Sequence, residues 1–157
     1  MFSLSIGSTS SLLTVFKERV CLEIETKVHI GSENDIIEAR ERGRTIGKIV
    51  GFHPVDQTII ATAISEIARN ILFFANQGMM SFEVINEGNR RGILIVAQDA
   101  GPGIPDISMA MQDGYSTSRG LGLGLPGVRR LMDEFQVISI SGKGTTVTMK
   151  KWVAEYD

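Results

Sequence analysis

Glu66 and Asn70 stand four residues apart in a stretch rich in apolar residues, and their side chains could do chemistry together. At that spacing both lie on one side of a helix. An amide oxygen can serve as a ligand for Mg²⁺, and a carboxylate within hydrogen-bond reach of a hydroxyl can act as a general base. Two solvated residues on an exposed helix would show the same spacing. The pair therefore indicates a catalytic site only if other functional residues lie close to it in the fold.

The predicted helix that carries this pair begins at Pro54, and its core stripe recurs at helical spacing: Ile60, Ile64, Ile67, Ile71 and Phe74. At roughly 100° per residue, Asn70 falls about 80° and Glu66 about 120° from the centre of that stripe. Both residues are therefore expected on one flank, where a packed face meets an open edge. Such a position is typical of a cleft wall.

The segment Asp99-Ala-Gly-Pro-Gly103 is a second candidate site, because it follows a continuous apolar run at residues 93–97. We interpret the run as a central strand buried on both faces, which places Asp99 at a strand end. A carboxylate there could accept a hydrogen bond from an exocyclic amine such as adenine N6, while the glycines let the backbone pass close to a flat base. An ordinary Gly-Pro-Gly turn is the competing interpretation.

A glycine run, Gly120-Leu-Gly-Leu-Gly124, leads into a helix predicted over residues 125–135. Backbone amides at the positive end of a helix suit phosphate oxygens. Arg119 could bring its charge to a terminal phosphate. The hydroxyls just before it could donate to the same group: Ser116, Thr117 and Ser118. A solvated flexible loop is the alternative for all of them, and neither a P-loop nor a dinucleotide fingerprint fits.

The remaining elements indicate the fold class. Apolar residues alternate in two predicted strands, residues 22–30 and 80–84, and a helix is predicted between Ser32 and Gly51. Residues 137–140 and 146–149 flank a glycine-rich turn as a hairpin. Residues 101–124 have little apolar periodicity, and a loop of that length is often a functional lid.

The predicted order is strand, helix, helix, strand, strand, lid, helix, strand, strand. Strands follow strands directly, so a doubly wound parallel sheet is excluded. We predict an α+β fold, a two-layer α/β sandwich in which a mixed sheet carries helices on one face.

Composition limits the classes of function. The chain has 157 residues, a formal net charge of -2, one Cys and two His. These numbers disfavour a nucleic-acid or membrane surface, an intrachain disulfide and a histidine-rich metal centre. No basic residue precedes Lys17, and no apolar run reaches the ~20 residues of a membrane span, so a cytoplasmic protein is expected. We predict a flexible Ser/Thr-rich arm at residues 1–20 and one domain at residues 21–157.

Taken in order, these motifs resemble the GHKL superfamily of ATP-binding proteins, which have the Bergerat fold. The matching features are the acidic residue and Asn of the N box, Asp-x-Gly-x-Gly, a glycine-rich lid end and a late Gly-x-Gly-Thr, here Gly142-Lys-Gly-Thr145. On its own that last motif would be an ordinary hairpin turn. The resemblance covers residues 22–152 and implies ATP and Mg²⁺ as cofactors.

The resemblance also implies a role for each matching residue. Glu66 would be the catalytic base, Asn70 the Mg²⁺ ligand and Asp99 the adenine partner, and Arg119 stays a second catalytic candidate on the argument above. The other predicted nucleotide contacts are Gly101, Gly103, Ile104, Ser116, Thr117, Ser118, Gly120, Gly122, Gly124, Leu125 and Thr145.

Longer segments are similar to the stressosome switch kinases of the RsbT type: Ala63-Ile-Ser-Glu-Ile-Ala-Arg-Asn70, Asp113-Gly-Tyr-Ser-Thr-Ser118 and Gly124-Leu-Pro-Gly-Val-Arg-Arg-Leu-Met-Asp-Glu-Phe135. That likeness implies a serine/threonine protein kinase. It would phosphorylate a STAS-domain scaffold or antagonist in a bacterial partner-switching pathway, then bind and activate a downstream effector such as a phosphatase.

Two alternatives remain. The first is an anti-sigma factor kinase that sequesters a sigma factor. Such kinases tend to carry a histidine shortly after the N-box Asn, whereas Ile-Leu-Phe-Phe-Ala-Asn follows Asn70 here. The second is an adaptor that holds nucleotide without catalysis, which the presence of both Glu66 and Asn70 disfavours.

Overall fold

The computed structural model describes residues 25–112 and 124–155, which form a sheet with helices packed on one face. The strands are β1 (Glu25–Ile30), β2 (Gly78–Glu87), β3 (Arg90–Asp99), β4 (Glu134–Ile140) and β5 (Gly144–Trp152). The helices are α1 (Glu33–Val50), α2 (Pro54–Ala75), α3 (Ile107–Ala110) and α4 (Gly124–Leu131). The predicted α+β class and two-layer arrangement are confirmed. The predicted arm, residues 1–20, lies outside the described residues.

The five strands lie in the order β1-β2-β3-β5-β4, and all four neighbouring pairs are antiparallel. The predicted mixed sheet is therefore wrong for the described strands. Two helices in succession between β1 and β2 return the chain in the reversed direction. On the other side of the sheet, β3 and β4 run the same way, but β5 lies between them and is antiparallel to both.

The core lies between the sheet and the helices. On the central strand β3, Ile93, Ile95 and Ala97 are buried and face the helices. Leu94 and Val96 point to the opposite face and are only half-buried. The prediction that this strand is buried on both faces is therefore wrong for the described residues, because helices cover one face of an antiparallel sheet and leave the other to alternate residues.

The two long helices confirm the sequence pattern and approach each other closely. In α2 the predicted stripe is buried at Ile60, Ile64, Ile67 and Ile71. In α1, Gly43 faces this helix so closely that an added Cβ would collide with the end of the Ile64 side chain. Glycine at this position therefore allows the two helices to approach closely.

The end of α4 differs from the prediction of a helix over residues 125–135. The helix stops at Leu131, and Phe135 belongs to β4, where it pairs with Met149. Asp133 explains the early stop, because its N–H donates to Lys150 O at 3.0 Å and its Oδ2 accepts the Trp152 N–H at 2.7 Å. These bonds draw the chain into the sheet.

By length and composition, α2 could cross a membrane. In the fold the apolar stripe of α2 is buried in the core. The apolar character of α2 is thus explained by burial against the sheet.

Candidate functional site

A cavity of about 330 Å³ opens between α2, the loop after β3, the start of α4 and β5. Seven of the predicted site residues line it: Asn70, Asp99, Gly103, Ile104, Gly124, Leu125 and Thr145. The four motifs that carry them are far apart in the sequence. The fold therefore brings the N-box asparagine, the strand-end aspartate and the late threonine around one space.

Asp99 is held at the end of β3 by backbone donors. Its Oδ1 accepts the Gly101 N–H at 2.9 Å and the Thr145 N–H at 3.3 Å. Among the described residues no donor is found for Oδ2, and the side chain lines the cavity. A carboxylate fixed through one oxygen can offer the other to a ligand that donates a hydrogen bond, such as an exocyclic amine.

Thr145 lies opposite Ser139 in the β4–β5 hairpin, and this serine joins the hairpin to the loop after β3. The Ile104 N–H donates to Ser139 Oγ at 2.7 Å, and the hydroxyls of Ser139 and Thr145 are 2.8 Å apart. A second link is the bond from the Gly142 N–H to Pro102 O at 2.8 Å. Loop and hairpin therefore form one framework around Asp99.

Two glycines of this framework cannot carry a side chain. Gly144 has φ +125, and an added Cβ would collide with the Asp99 carbonyl oxygen. Gly103 has φ +80, and its Cβ would lie 2.7 Å from Ile140 O. Both positions thus need glycine for a close approach as well as for a left-handed backbone.

Gly101 plays a different part from the predicted lining of the base. It is absent from the cavity wall, and its amide supports Asp99 from behind. An added Cβ would meet the Cβ of Ala75 at 2.6 Å, so this glycine lets the loop pack on the end of α2.

Glu66 and Asn70 both project from α2, but they line different spaces. Asn70 faces the cavity, whereas Glu66 lines a neighbouring polar groove between α1 and α2. The Glu66 side chain is 12% exposed, and its Oε1 accepts a hydrogen bond from Arg69 at 2.8 Å. The predicted base therefore lies one helical turn from the predicted metal ligand and lines the groove instead of the cavity.

Apolar side chains form the rest of the cavity wall, and of these residues only Pro102 lies in a predicted site segment: Ile67, Ile71, Phe74, Ala97, Pro102, Pro105, Ala110 and Val147. Phe74 is 47% exposed, so the last member of the predicted core stripe lies at the cavity instead of in the core. An apolar wall with a few convergent polar groups is typical of a small-molecule site.

Ser139 was also missed. The hairpin register could have revealed it, since a three-residue turn at 141–143 places it directly opposite Thr145.

The glycine-rich run is described only at its end. Gly124 has φ +64 and begins α4, and Leu125 follows in the first turn of that helix. The first backbone amides of a helix are free to bind anions. The other predicted contacts of this region lie outside the described residues: Ser116, Thr117, Ser118, Arg119, Gly120 and Gly122.

No group of three or more His, Cys, Asp or Glu side chains forms a metal site within residues 25–112 and 124–155. Asn70 is a single neutral oxygen donor beside the cavity. One such donor fits Mg²⁺, which keeps several waters and binds substrate phosphates instead of a full protein cage.

Comparisons with known proteins agree with this geometry. The family described as histidine kinase-, DNA gyrase B-, and HSP90-like ATPase matches residues 55–155. The serine/threonine-protein kinase RsbT of Bacillus subtilis is 52% identical over 126 residues, which cover 80% of this chain and 95% of the relative. An anti-sigma F factor of a Thermoanaerobacter species is 34% identical over 100 residues, or 60% of this chain and 68% of the relative.

A solved structure supports the fold. A chain in the crystal structure of the SiaB-SiaC complex from Pseudomonas aeruginosa superposes with a TM-score of 0.53 at 12% identity, over 94% of this chain and 99% of that one.

The family match covers the cavity from α2 to β5, and the similarity to RsbT extends over nearly the whole length of that kinase. The chain therefore belongs to the histidine kinase-, DNA gyrase B- and HSP90-like ATPases and, among them, to the RsbT-type serine/threonine protein kinases.

Proposed function

We propose that this kinase transfers the γ-phosphoryl group of ATP to a Ser or Thr of a STAS-domain scaffold or antagonist protein in a bacterial partner-switching, stressosome-type pathway. The single observation that carries the nucleotide assignment is Asp99, fixed through Oδ1 and offering Oδ2 to the cavity. Adenine supplies an amine donor for such an oxygen. The apolar wall around it suits the faces of the base.

Two residues of α2 would act at the phosphate end of the nucleotide. Asn70 would hold Mg²⁺ together with phosphate oxygens, and the ion would neutralise phosphate charge. Glu66 would accept the proton of the attacking hydroxyl as its oxygen bonds to the γ-phosphorus and the bond to the ADP oxygen breaks. ADP leaves with that electron pair. Arg119 is proposed to steady the charge on the transferred group.

Phosphorylation of the partner would also regulate its complex with the kinase. A phosphate added to the STAS-domain partner brings about two negative charges to the interface, which weakens the complex where acidic or apolar groups face it. We propose that the released kinase then binds a downstream effector, such as a phosphatase. The whole cycle is assigned to the cytoplasm.

The test is transfer from labelled ATP to the STAS-domain proteins encoded in the same genome, with Glu66→Gln as the informative variant. We expect a loss in kcat of about 10²–10⁴-fold, the usual contribution of a general base. ADP affinity is expected to stay unchanged. The matched control is Glu38→Gln, an exposed α1 glutamate paired with Arg42 at 3.7 Å. Full transfer by the Glu66 variant would refute the assignment of the base.

The similarity to anti-sigma F factors supports a second candidate, a kinase that also sequesters a sigma subunit. A pull-down with the sigma subunits of the same organism separates the two. Stable capture of a sigma factor, released when a STAS-domain protein is added, would favour this candidate over activation of a separate effector.

A further inference from the structure

A polar groove of about 350 Å³ runs between α1 and α2, on the side of these helices turned away from the sheet. Its charged walls consist of three arginines and two glutamates: Arg40, Glu41, Arg44, Glu66 and Arg69. Apart from Glu66, no residue of this groove has a proposed role in nucleotide binding or phosphoryl transfer.

Glu66 makes this groove the approach to the reaction centre. The residue lines the groove, while Asn70, one turn later in α2, lines the nucleotide cavity. A hydroxyl that gives its proton to Glu66 must come within hydrogen-bond reach of that carboxylate. The chain segment that carries the hydroxyl therefore has to lie in the groove or across its mouth.

The three guanidinium groups differ in how far they are neutralised. Arg69 donates to Glu66 at 2.8 Å, and Arg40 lies 3.7 Å from Glu41. Arg44 is exposed and makes no ion pair with any described residue. It is thus a cation available to a partner.

The hydroxyls of the groove offer little competition for an anion. The Thr62 hydroxyl donates to Thr58 O at 2.9 Å, and the Ser65 hydroxyl donates to Ala61 O at 2.9 Å. Their single hydrogens are therefore committed within α2. Recognition of a negative group falls to the arginines, whose planar donors match a carboxylate in two-point contact.

We propose that this groove is the docking surface for the acceptor segment of the protein substrate, and that the segment carries an Asp or Glu near its Ser or Thr that pairs with Arg44. The inference rests on the proposed kinase function and adds the charge that its substrate must have. Binding at Arg44 holds the acceptor hydroxyl beside Glu66 at the end of the nucleotide cavity.

The experiment measures transfer from labelled ATP to the genome's STAS-domain proteins by the wild type, Arg44→Ala and Arg44→Glu. Because the proposed pair is exposed, we expect KM for the protein substrate to rise about fivefold in Arg44→Ala, and by roughly twentyfold or more when the charge is reversed. ADP affinity is measured in parallel and stays constant, since Arg44 lies outside the nucleotide cavity. The matched control is Arg42→Glu, on the same helix but outside the groove.

If Arg44→Glu still transfers phosphate with the KM of the wild type, the proposed docking groove is wrong and the kinase function stands. Failure of the wild type to phosphorylate any STAS-domain protein would overturn the proposed substrate and the groove together. Once the phosphosite is mapped, replacing the neighbouring acid by Lys should restore KM in Arg44→Glu, and no rescue at any flanking acid would overturn the carboxylate pairing.

Discussion

Ser139→Ala removes the hydroxyl that joins the loop after β3 to the β4–β5 hairpin. The variant loses the acceptor for the Ile104 N–H, at 2.7 Å, and the contact with the Thr145 hydroxyl, at 2.8 Å. It leaves the bond from Gly142 to Pro102 O, so the loop keeps one of its two links. Asp99 is affected through Thr145, whose N–H is one of its donors.

The expected size of the effect follows from those contacts. One lost hydrogen bond costs about 1 kcal/mol net, and a buried donor without a partner costs about 1–3 kcal/mol. Because Ser139 is half-buried and water can reach part of the site, we expect a total near 2 kcal/mol. That corresponds to a fall in Tm of about 4–8 °C for a chain of this size. If about 1 kcal/mol of it appears in nucleotide binding, ATP affinity falls about fivefold.

Titration of wild type and variant with fluorescent ATP and ITP analogues tests this expectation. The exocyclic amine of ATP would donate a hydrogen bond to Asp99, whereas ITP has a carbonyl at that position. A less firmly held Asp99 should therefore lower the ratio of ATP affinity to ITP affinity. At saturating ATP, kcat should stay within about twofold, because Glu66 and Asn70 stand on α2. Ser81→Ala, at another half-buried strand serine, is the control. An unchanged affinity ratio together with the expected loss of Tm would show that Ser139 only supports the fold.

Three further predictions use other contacts. Gly144→Ala should cost at least about 3 kcal/mol in unfolding free energy, whereas Gly142→Ala, with open space around it, should cost about 1 kcal/mol, as chemical denaturation would show. Asp99→Asn can keep its bonds from Gly101 and Thr145 while turning an amide donor to the cavity, so ATP affinity should fall at least about tenfold and ITP should become the better ligand. Asp35→Asn should lower Tm near neutral pH, because the Gly31 N–H, followed by Ser32, holds the pKa of Asp35 below its usual value. A carboxylate whose pKa is lowered on folding stabilises the protein above its unfolded pKa and loses that effect as acid is added, so wild-type and variant Tm values should converge at low pH.

Local patterns were sufficient for much of the fold. The stripe of α2 and the start of that helix at Pro54 are as predicted, because proline in the first turn and a 3.6-residue period act within the helix itself. The end of α4 failed because it is decided by Asp133, which bonds to residues of β5 that are distant in sequence. The direction of the strands failed for the same reason, since β5 inserts between β3 and β4 only in three dimensions.

The candidate site divides in a similar way. Polar residues of the cavity wall, such as Asp99 and Asn70, could be predicted from their type and spacing. Apolar residues of the wall, such as Val147 and Phe74, could not be predicted, because side chains that line an apolar cavity and side chains that pack in a core are of the same residue types. Ser139 acts only through its cross-strand neighbour, so it becomes visible once the hairpin register is known.

The glycine contact at Gly43 has a mechanical consequence. At Gly43 only the end of the Ile64 side chain separates α1 from α2, so the two closely packed helices should move together. A protein that pushes on Arg44 would then displace Glu66 with it. Changes in helix spacing should alter substrate binding and turnover together, while changes in the β4–β5 hairpin should alter nucleotide affinity and leave kcat nearly unchanged.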